Sequence, residues 1–459
     1  MESYDFAIIG AGPAGEAAAN KARALGASVA IADRRWFGGS CPFIGCVPSK
    51  ALLHSAARHR DDPDGYDWAR ASARRDYMVE RSANAAEPDD GAHRARLEAA
   101  GARVIPGDAT ILGPGRVGIA HDGATHELEA RQIVVAVGST TKAPRIDGLD
   151  KVPIWTNREA TLTRELPRSL LVLGGGPTAC ELAQVFVRFD VPTVLVQSRP
   201  QLMPSDHPRN GETVRTALER DGVVIRTGAR AIRARAGAGR EGAHVIELDD
   251  GSSAEGHVVL VAVGRSFPLA GLGLEHYGID ATAREPFPRD GRLRIADGLW
   301  AIGDPAGPEL HTHQAHYQGG LAIRMALGED VAPDYRALPR ATYTDPEAAS
   351  VGFSLDQATA AGLDAFELVA DFATSAKGYS VETDLGHVTI VIDRASRQLV
   401  GASMACPDAS AAIHECVLAI KARVPVEILA DTIHAFPSTS RIFDGLFAEA
   451  ATRLAGGQA

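Results

Sequence analysis

Tyr4-Asp-Phe-Ala-Ile-Ile-Gly10-Ala-Gly12-Pro-Ala-Gly15 opens the chain with a short apolar run, a glycine turn and an Ala-rich stretch continuing to Ala24. The apolar run reads as a buried strand and the Ala-rich stretch as a helix. After Gly26 a second run, Ser28-Val-Ala-Ile-Ala, ends in Asp33, near the ~20-residue spacing at which an acid receives a ribose hydroxyl. Strand, turn, helix, strand and terminal acid together specify a dinucleotide-binding unit. Glycine lets the backbone approach a pyrophosphate, and the helix N-terminus supplies N–H donors and a positive dipole.

The pattern returns at Leu170-Leu-Val-Leu-Gly174-Gly175-Gly176-Pro-Thr-Ala179, followed by Thr193-Val-Leu-Val ending at Gln197. Two such units imply two dinucleotides, and the natural pair is a bound flavin dinucleotide and a diffusing nicotinamide dinucleotide. Gln132-Ile-Val-Val-Ala-Val-Gly138 and Val258-Val-Leu-Val-Ala-Val-Gly264-Arg265 each read as a buried strand ending in a glycine turn that closes a nucleotide domain. Leu299-Trp-Ala-Ile-Gly303-Asp304 places an acid just beyond a strand, where it could accept from a polyol chain. From about Pro339 onward strands and helices mix without another glycine fingerprint, which predicts a separate C-terminal domain. The Arg-rich stretch from Arg230 to Glu241 reads as an exposed hairpin connection. The expected fold is α/β: two Rossmann-like, three-layer nucleotide domains and a C-terminal α+β domain. Its expected boundaries are 1–150, first part of the flavin domain; 151–268, nicotinamide domain; 269–337, a central segment returning to the flavin; and 338–459.

Composition bounds the rest. A chain of 459 residues exceeds what one core usually covers, which sets an expectation of roughly two to four domains. Lys plus Arg number 47 against 58 Asp plus Glu, a net charge of −11 that offers no excess positive charge for a nucleic-acid backbone. No apolar run is long enough to span a bilayer, and Met1-Glu-Ser-Tyr-Asp-Phe lacks the basic start of a secretory signal. The expectation is a cytoplasmic protein with a small-molecule substrate, and neither nucleic acid nor membrane as partner. Of five cysteines, only the close pair Cys41 and Cys46 demands a chemical explanation.

That pair lies in Gly38-Gly39-Ser40-Cys41-Pro-Phe-Ile-Gly45-Cys46-Val-Pro48-Ser49-Lys50, leading into an expected helix from Ala51 to Arg60. Cys46 sits at or just before a helix N-terminus, with Lys50 nearby, and both favour a thiolate. A pair of buried structural cysteines is one alternative, though free cysteine rarely sits in so glycine-rich a turn. Zinc is another, with His54 and His59 completing the set, but the gap from Cys46 to His54 is shorter than the usual finger loop. A redox disulfide is favoured, and no metal is expected.

These features resemble the flavoprotein disulfide reductases, the class of lipoamide dehydrogenase, glutathione reductase and mercuric reductase, over nearly the whole chain. The resemblance rests on both glycine fingerprints, the Gly-Gly-Ser-Cys-x4-Cys-Val-Pro-Ser-Lys segment, Glu181, Gly303-Asp304 and Tyr343-Thr-Asp-Pro-Glu347. It implies FAD and NAD(P)H as cofactors, a dimerisation domain over 338–459 and a homodimer. Cys46 would be the thiol beside the flavin and Cys41 the outer, interchange thiol. Lys50 and Glu181 would form an ion pair at flavin N5, where a fixed cation favours reduced flavin and the carboxylate compensates for its burial. The implied flavin contacts are Gly10, Gly12, Gly15, Asp33, Gly39, Ser40, Lys50, Ala109, Gly138, Gly303 and Asp304. The implied nicotinamide contacts are Gly174, Gly176, Ala179, Gln197, Ser198, Arg199 and Gly264, while Pro177 stands where relatives often place a gating residue.

The chain departs from the family at its end. Disulfide reductases carry a His-Pro whose imidazole serves the interchange thiol, and a Glu five residues beyond that His. Here the stretch is Ile433-His434-Ala-Phe436-Pro437-Ser-Thr-Ser-Arg441, so the resemblance puts Phe436 at the base position and Arg441 at the acid position. Phe cannot accept a proton, and a positioned base contributes typically 10²- to 10⁴-fold, so the acceptor is not a conventional disulfide. His434 matches a different position of the motif and is read as structural. Mercuric reductases also have Phe-Pro here but use a further cysteine pair, which Arg453-Leu-Ala-Gly-Gly-Gln-Ala lacks. The 2-ketopropyl-coenzyme M oxidoreductase/carboxylase group is similar at Phe436 but has His, not Arg, at the acid position. A carboxylase, a quinone or metal-ion reductase and a non-catalytic flavin subunit stay open beside an NAD(P)H oxidoreductase. Gln197-Ser198-Arg199 removes the acid that would repel a 2′-phosphate and supplies a guanidinium, so NADPH is expected, with NAD the alternative.

Overall fold

The structure, a computed structural model, describes residues 1–280, 287 and 292–456. Residues 281–286 and 288–291 of the predicted central segment lie outside the described residues. The chain divides into two compact units. The first comprises Met1–Ala51, Ser72–Lys142 and Gly264–Pro333, the second Leu52–Ala71, Ala143–Val263 and Asp334–Ala459.

In the first unit the opening strand, Glu2–Ile9, lies between Val29–Asp33 and Ala124–Val135, parallel to both. The sheet runs Arg294–Ala296, Leu299–Ala301, Ala124–Val135, Glu2–Ile9, Val29–Asp33, Arg103–Pro106. Phe6, Ile8 and Ile31 are almost fully buried, as strands covered on both faces require. A hairpin, Asp108–Gly113 and Arg116–His121, extends antiparallel from Ala124–Val135. The helix Pro13–Ala24 packs against Thr312–Ala326 with almost no side chain between them. A Cβ on Gly319 would stand 2.4 Å from Ala14 O and 2.9 Å from Ala17 Cβ.

The second unit repeats the logic in a parallel sheet ordered Val224–Thr227, Thr193–Gln197, Leu170–Leu173, Val258–Val261, Ile154–Trp155. The predicted hairpin forms part of a three-stranded antiparallel sheet with strands Ala231–Arg235, His244–Leu248 and Ser253–Gly256. Its arginines are paired, Arg233 with Asp147 at 3.2 Å and Arg235 with Glu247 at 3.0 Å. The C-terminal part is a five-stranded antiparallel sheet, Arg340–Thr342, Glu347–Gly352, Gln398–Cys406, His387–Asp393, Ala365–Asp371. Ile390, Met404, Ile413, Phe443 and Phe447 form its core with the helices Ala409–Ala422 and Ile442–Gly456. The fold class is therefore the one read from the sequence. Among the described residues no helix is long and apolar enough to cross a membrane.

One element differs locally. The helix expected from Ala51 begins at Cys46 and ends at Asp61, and a short helix, Ser40–Ile44, precedes it. Pro48 falls within the first turn, where no intrahelical N–H is needed, so the helix reaches back through it.

Candidate active site

The redox segment is built from turns that leave little freedom. Gly38 and Gly39 have φ of +101° and +70°, a region that L side chains rarely adopt. A Cβ on Gly45 would lie 3.0 Å from Ser40 O and 3.2 Å from Cys41 Cα, so the link between the two cysteines is tight. Cys41 is half-buried and Cys46 exposed at the first residue of its helix. Cys46 Sγ lies 3.4 Å from Thr312 Oγ1. The Cys41 thiol is held far above its ordinary range, first by its hydrogen bond to Cys46, then by burial and the charge of Cys46. Burial and Cys46 thus keep the proton on Cys41, and Cys46 stands at the first residue of a helix, the end where the dipole is positive. Lys50, half-buried, follows within the first turns of the same helix. Thr312 escaped sequence reasoning. Its only signal is its place at the start of the helix after the Gly303-Asp304 turn.

The first glycine turn divides its work. A Cβ on Gly10 would stand 2.4 Å from Ala136 O, and one on Gly15 only 1.9 Å from Gly10 O. Those two glycines hold strand and helix together. At Gly12 the nearest atom would be 3.8 Å away, which leaves the helix N-terminus open to a pyrophosphate. Asp33 accepts the Ala11 and Arg35 N–H groups, both at 2.8 Å, tying the second strand's end to the turn. Burial raises its carboxyl pKa against the lowering effect of those bonds. Asp304 accepts the Ser139 hydroxyl and lies 3.8 Å from the Arg265 guanidinium, which also donates to Ser139 O at 2.8 Å. Gly303 donates its N–H to Gln318 at 2.8 Å. Gly138 and Gly264, both with positive φ, have open space where a Cβ would point. Gly264 falls in this unit, beside Arg265. Ser40 opens the short helix, and Ala109 pairs with Ile119 in the hairpin. An open helix N-terminus and an acid at the strand end suit an extended dinucleotide.

In the second unit Gly174 (φ +115°) approaches Ala262 O, at 2.3 Å from a built Cβ, while Gly176 has nothing within 4 Å. Ala179 is fully buried at the third position of the fingerprint. Gln197 is buried, its Nε2 lying 2.9 Å from a Cβ built on Gly175. Ser198 and Arg199 are exposed, and Arg199 makes no ion pair among the described residues. Pro177 occupies the first position of the helix Pro177–Arg188. Glu181, on that helix, is 4% exposed and accepts the Tyr343 N–H at 3.0 Å. Gln184 then exchanges two bonds with Asp345, and Arg188 pairs with Asp345 at 3.0 Å. Lys50 and Glu181, expected as an ion pair, belong to the first and second units respectively.

Phe436 is 74% exposed and Ile433 97%. Arg441 is clamped by Asp444 and donates its backbone N–H to Ser438 Oγ at 3.2 Å. The His434 side chain is buried, with Nε2 2.9 Å from Glu415 Oε1 and Nδ1 4.0 Å from Asp444 Oδ1. The predicted acid position therefore holds a guanidinium paired with a neighbouring acid, and His434 is held in the fold by a carboxylate distant in sequence. His59 bonds Tyr66 O through Nδ1 at 2.8 Å and stacks on Phe189 in the second unit. Among the described residues no three His, Cys, Asp or Glu side chains form a metal-holding group.

The pyridine nucleotide-disulphide oxidoreductase family profile matches residues 4–319, and the dimerisation domain of the same family matches residues 338–446. A dihydrolipoyl dehydrogenase from Chlorobaculum tepidum is 32% identical over 447 residues, 95% of each chain. A mercuric reductase from Streptomyces lividans is 32% identical over 454 residues, 94% of this chain and 93% of the other. The HOCl-induced flavoprotein disulfide reductase RclA from Escherichia coli, solved as a Cu(II) complex, superposes with a TM-score of 0.86. It is 25% identical, covering 98% of this chain and 100% of that one. LpdA from Mycobacterium tuberculosis gives 0.85 at 28% identity, covering 99% and 100%.

Proposed function

This chain belongs to the pyridine nucleotide-disulphide oxidoreductases, enzymes that use FAD and NAD(P)H. From that premise we propose that it is an NADPH-dependent reductase whose Cys41–Cys46 pair serves an acceptor other than a low-molecular-weight disulfide. The first glycine turn, Asp33 and the Gly303-Asp304 turn would hold FAD, which would supply two-electron transfer between the nicotinamide and the cysteine pair. Cys46 supplies the thiolate on the flavin side, stabilised by its helix N-terminus, while Cys41 holds the proton and faces the acceptor. Lys50, in the first turns of the same helix, supplies the cation that the family resemblance puts at flavin N5.

The observation that carries this proposal is Phe436. Its exposed hydrocarbon ring fills the base position, and Arg441 at the acid position is already engaged by Asp444. Neither residue can return a proton to the interchange thiol. NADPH preference is supported by buried Gln197 at the strand end and by Arg199, whose guanidinium has no carboxylate partner among the described residues. Gln197→Glu should shift the NADPH-to-NADH ratio of kcat/KM at least tenfold towards NADH; an unchanged ratio would sink the coenzyme assignment. A homodimer, with Phe436 to Arg441 reaching the partner's cysteine pair, is supported by the dimerisation-domain match and the exposed Ile433, Phe436 and Leu418.

A second acceptor class is favoured by one comparison. RclA was solved with Cu(II), so a thiophilic metal ion is the non-disulfide acceptor to test first; quinones and carboxylation follow. The decisive experiment is an anaerobic NADPH titration of the flavin-loaded protein, then turnover with Cu(II), quinones, lipoamide and glutathione disulfide. Uptake of two electron pairs per flavin, with slow lipoamide and glutathione turnover, is expected. Rapid turnover of either disulfide would overturn the proposal.

A further inference from the structure

Phe43, midway between the two cysteines, is 1% exposed and anchored rather than loose. Trp36 packs on one side, ring centroids 5.7 Å apart, and the His93 imidazole meets it edge-on at 5.4 Å and 69°. The same imidazole covers Gly38, where a built Cβ would lie 2.8 to 2.9 Å from three of its ring atoms. Its Nδ1 is 2.7 Å from Glu16 Oε1, and both side chains are more than four-fifths buried. Glu16 stands in the first turn of the helix that follows the first glycine turn. Asp90 and Arg94, from the same helix end as His93, complete the support: Asp90 accepts the Phe37 N–H at 2.9 Å, and Arg94 pairs with Asp90 at 2.8 Å. Gly38 in turn donates its N–H to Ala11 O at 2.8 Å. One imidazole thus touches the nucleotide-turn helix, the turn before Cys41 and the aromatic ring between the cysteines.

We infer that His93 is a positioning residue for the redox pair: held by Glu16, it pins Gly38 and Phe43 and so fixes how closely Cys41 approaches Cys46. Both Glu16 and His93 lie outside the motifs that define the pair, and they bear on it through Gly38 and Phe43. The consequence is thermodynamic. Forming the disulfide removes two electrons and two protons from the thiols and joins the sulfurs, and a pinned loop raises the effective concentration of one sulfur for the other. Releasing Phe43 lets the dithiol spread, which favours the reduced form.

The test equilibrates the flavin-loaded protein in a dithiothreitol redox buffer. Protein dithiol plus oxidised dithiothreitol gives protein disulfide plus reduced dithiothreitol, quantified by thiol labelling and mass. His93→Ala should lower the equilibrium constant for disulfide formation about tenfold, raising the midpoint potential by about 30 mV. Glu16→Gln, which keeps an acceptor for Nδ1, should stay within twofold of the parent. His93→Phe, which keeps the ring against Phe43 but loses Glu16, should fall between them. Phe43→Ala reports the full effect of losing the anchor. A His93→Ala value within twofold of the parent while Phe43→Ala shifts tenfold would overturn the assignment, as would no shift in either variant. If His93→Ala does not fold, His93→Phe decides: a shift under twofold refutes the role. Because the readout is a dithiol equilibrium rather than turnover, its outcome is independent of which acceptor the enzyme uses.

Discussion

Restoring a proton acceptor at the interchange thiol should convert this chain into a better disulfide reductase, and the structure sets how far. The perturbation is Phe436→His combined with Arg441→Glu. Phe436 is 74% exposed within its own chain, so replacing its ring loses little packing there and should change the stability of the single-chain fold by only about ±0.5 kcal/mol. Arg441 and Asp444 are 41% and 37% exposed, a pair in the class worth roughly 0–1 kcal/mol, so its loss is also tolerable. A positioned base contributes typically 10²- to 10⁴-fold, which is about 3–5 kcal/mol of barrier. Asp444, freed from Arg441, would add repulsion that turns the new carboxylate outward, so the lower end is expected: a gain of about 10² in kcat/KM for lipoamide. Phe436→His alone, with an unoriented imidazole, should gain about tenfold or less. The assay is NADPH-dependent lipoamide reduction, with flavin content and thermal midpoint measured in parallel. If the double variant binds flavin, keeps its midpoint and gains nothing, the missing base is not what blocks disulfide exchange.

The two kinds of glycine should separate cleanly. Gly15→Ala drives a methyl to 1.9 Å from Gly10 O and should cost about 1–3 kcal/mol with loss of bound flavin, whereas Gly176→Ala, with nothing within 4 Å, should leave the thermal midpoint alone and weaken NADPH binding at least tenfold. Equal thermal losses in the two variants would contradict the division. Cys41→Ser should show long-wavelength thiolate–flavin absorbance in the resting protein and Cys46→Ser should abolish it; the reverse pattern would place the thiolate on the wrong sulfur. Burial holds the His387 imidazole down at about 3 from 6.5, so it stays neutral in the fold while the unfolded chain protonates it. Stability should therefore be complete above about pH 6.5 and fall by up to about 1.4 kcal/mol per unit as pH drops towards 3. Urea unfolding of a His387→Gln variant should show a shallower acid slope than the parent; identical slopes would remove His387 from the account.

What could be read from the sequence follows a physical divide. Gly10, Gly15 and Gly174 were legible because a left-handed φ or a sub-van-der-Waals approach admits no other residue, so the requirement is written at one position. The thiol pair was legible for the same reason, since a short glycine-closed spacing of two sulfurs has few other uses. Cys46 was legible as lying at or just before a helix N-terminus, and the helix read from Ala51 extends back through Pro48 to Cys46 itself. Glu415 on His434, Asp444 on Arg441 and Glu16 on His93 were harder still. Each is a contact between segments whose local sequences carry no sign of the other, and only the packed chain brings them together. Arg441 shows the limit well, because an arginine that could face an anion or a neighbouring acid looks identical until Asp444 is seen beside it.

The helix Pro177–Arg188 has a consequence for engineering. Its first turn lies at the proposed nicotinamide site beside Gly176, while Glu181, Gln184 and Arg188, spaced along one face, fasten the loop that opens the C-terminal sheet. A directed-evolution campaign that sampled this helix for altered coenzyme use would select for loop anchorage at every step, so beneficial changes there would be scarce and epistatic. Gln197 to Arg199, at the far end of the next strand, carry no such second duty among the described residues. Evolution of coenzyme choice should run through those three positions, with the helix left as inherited.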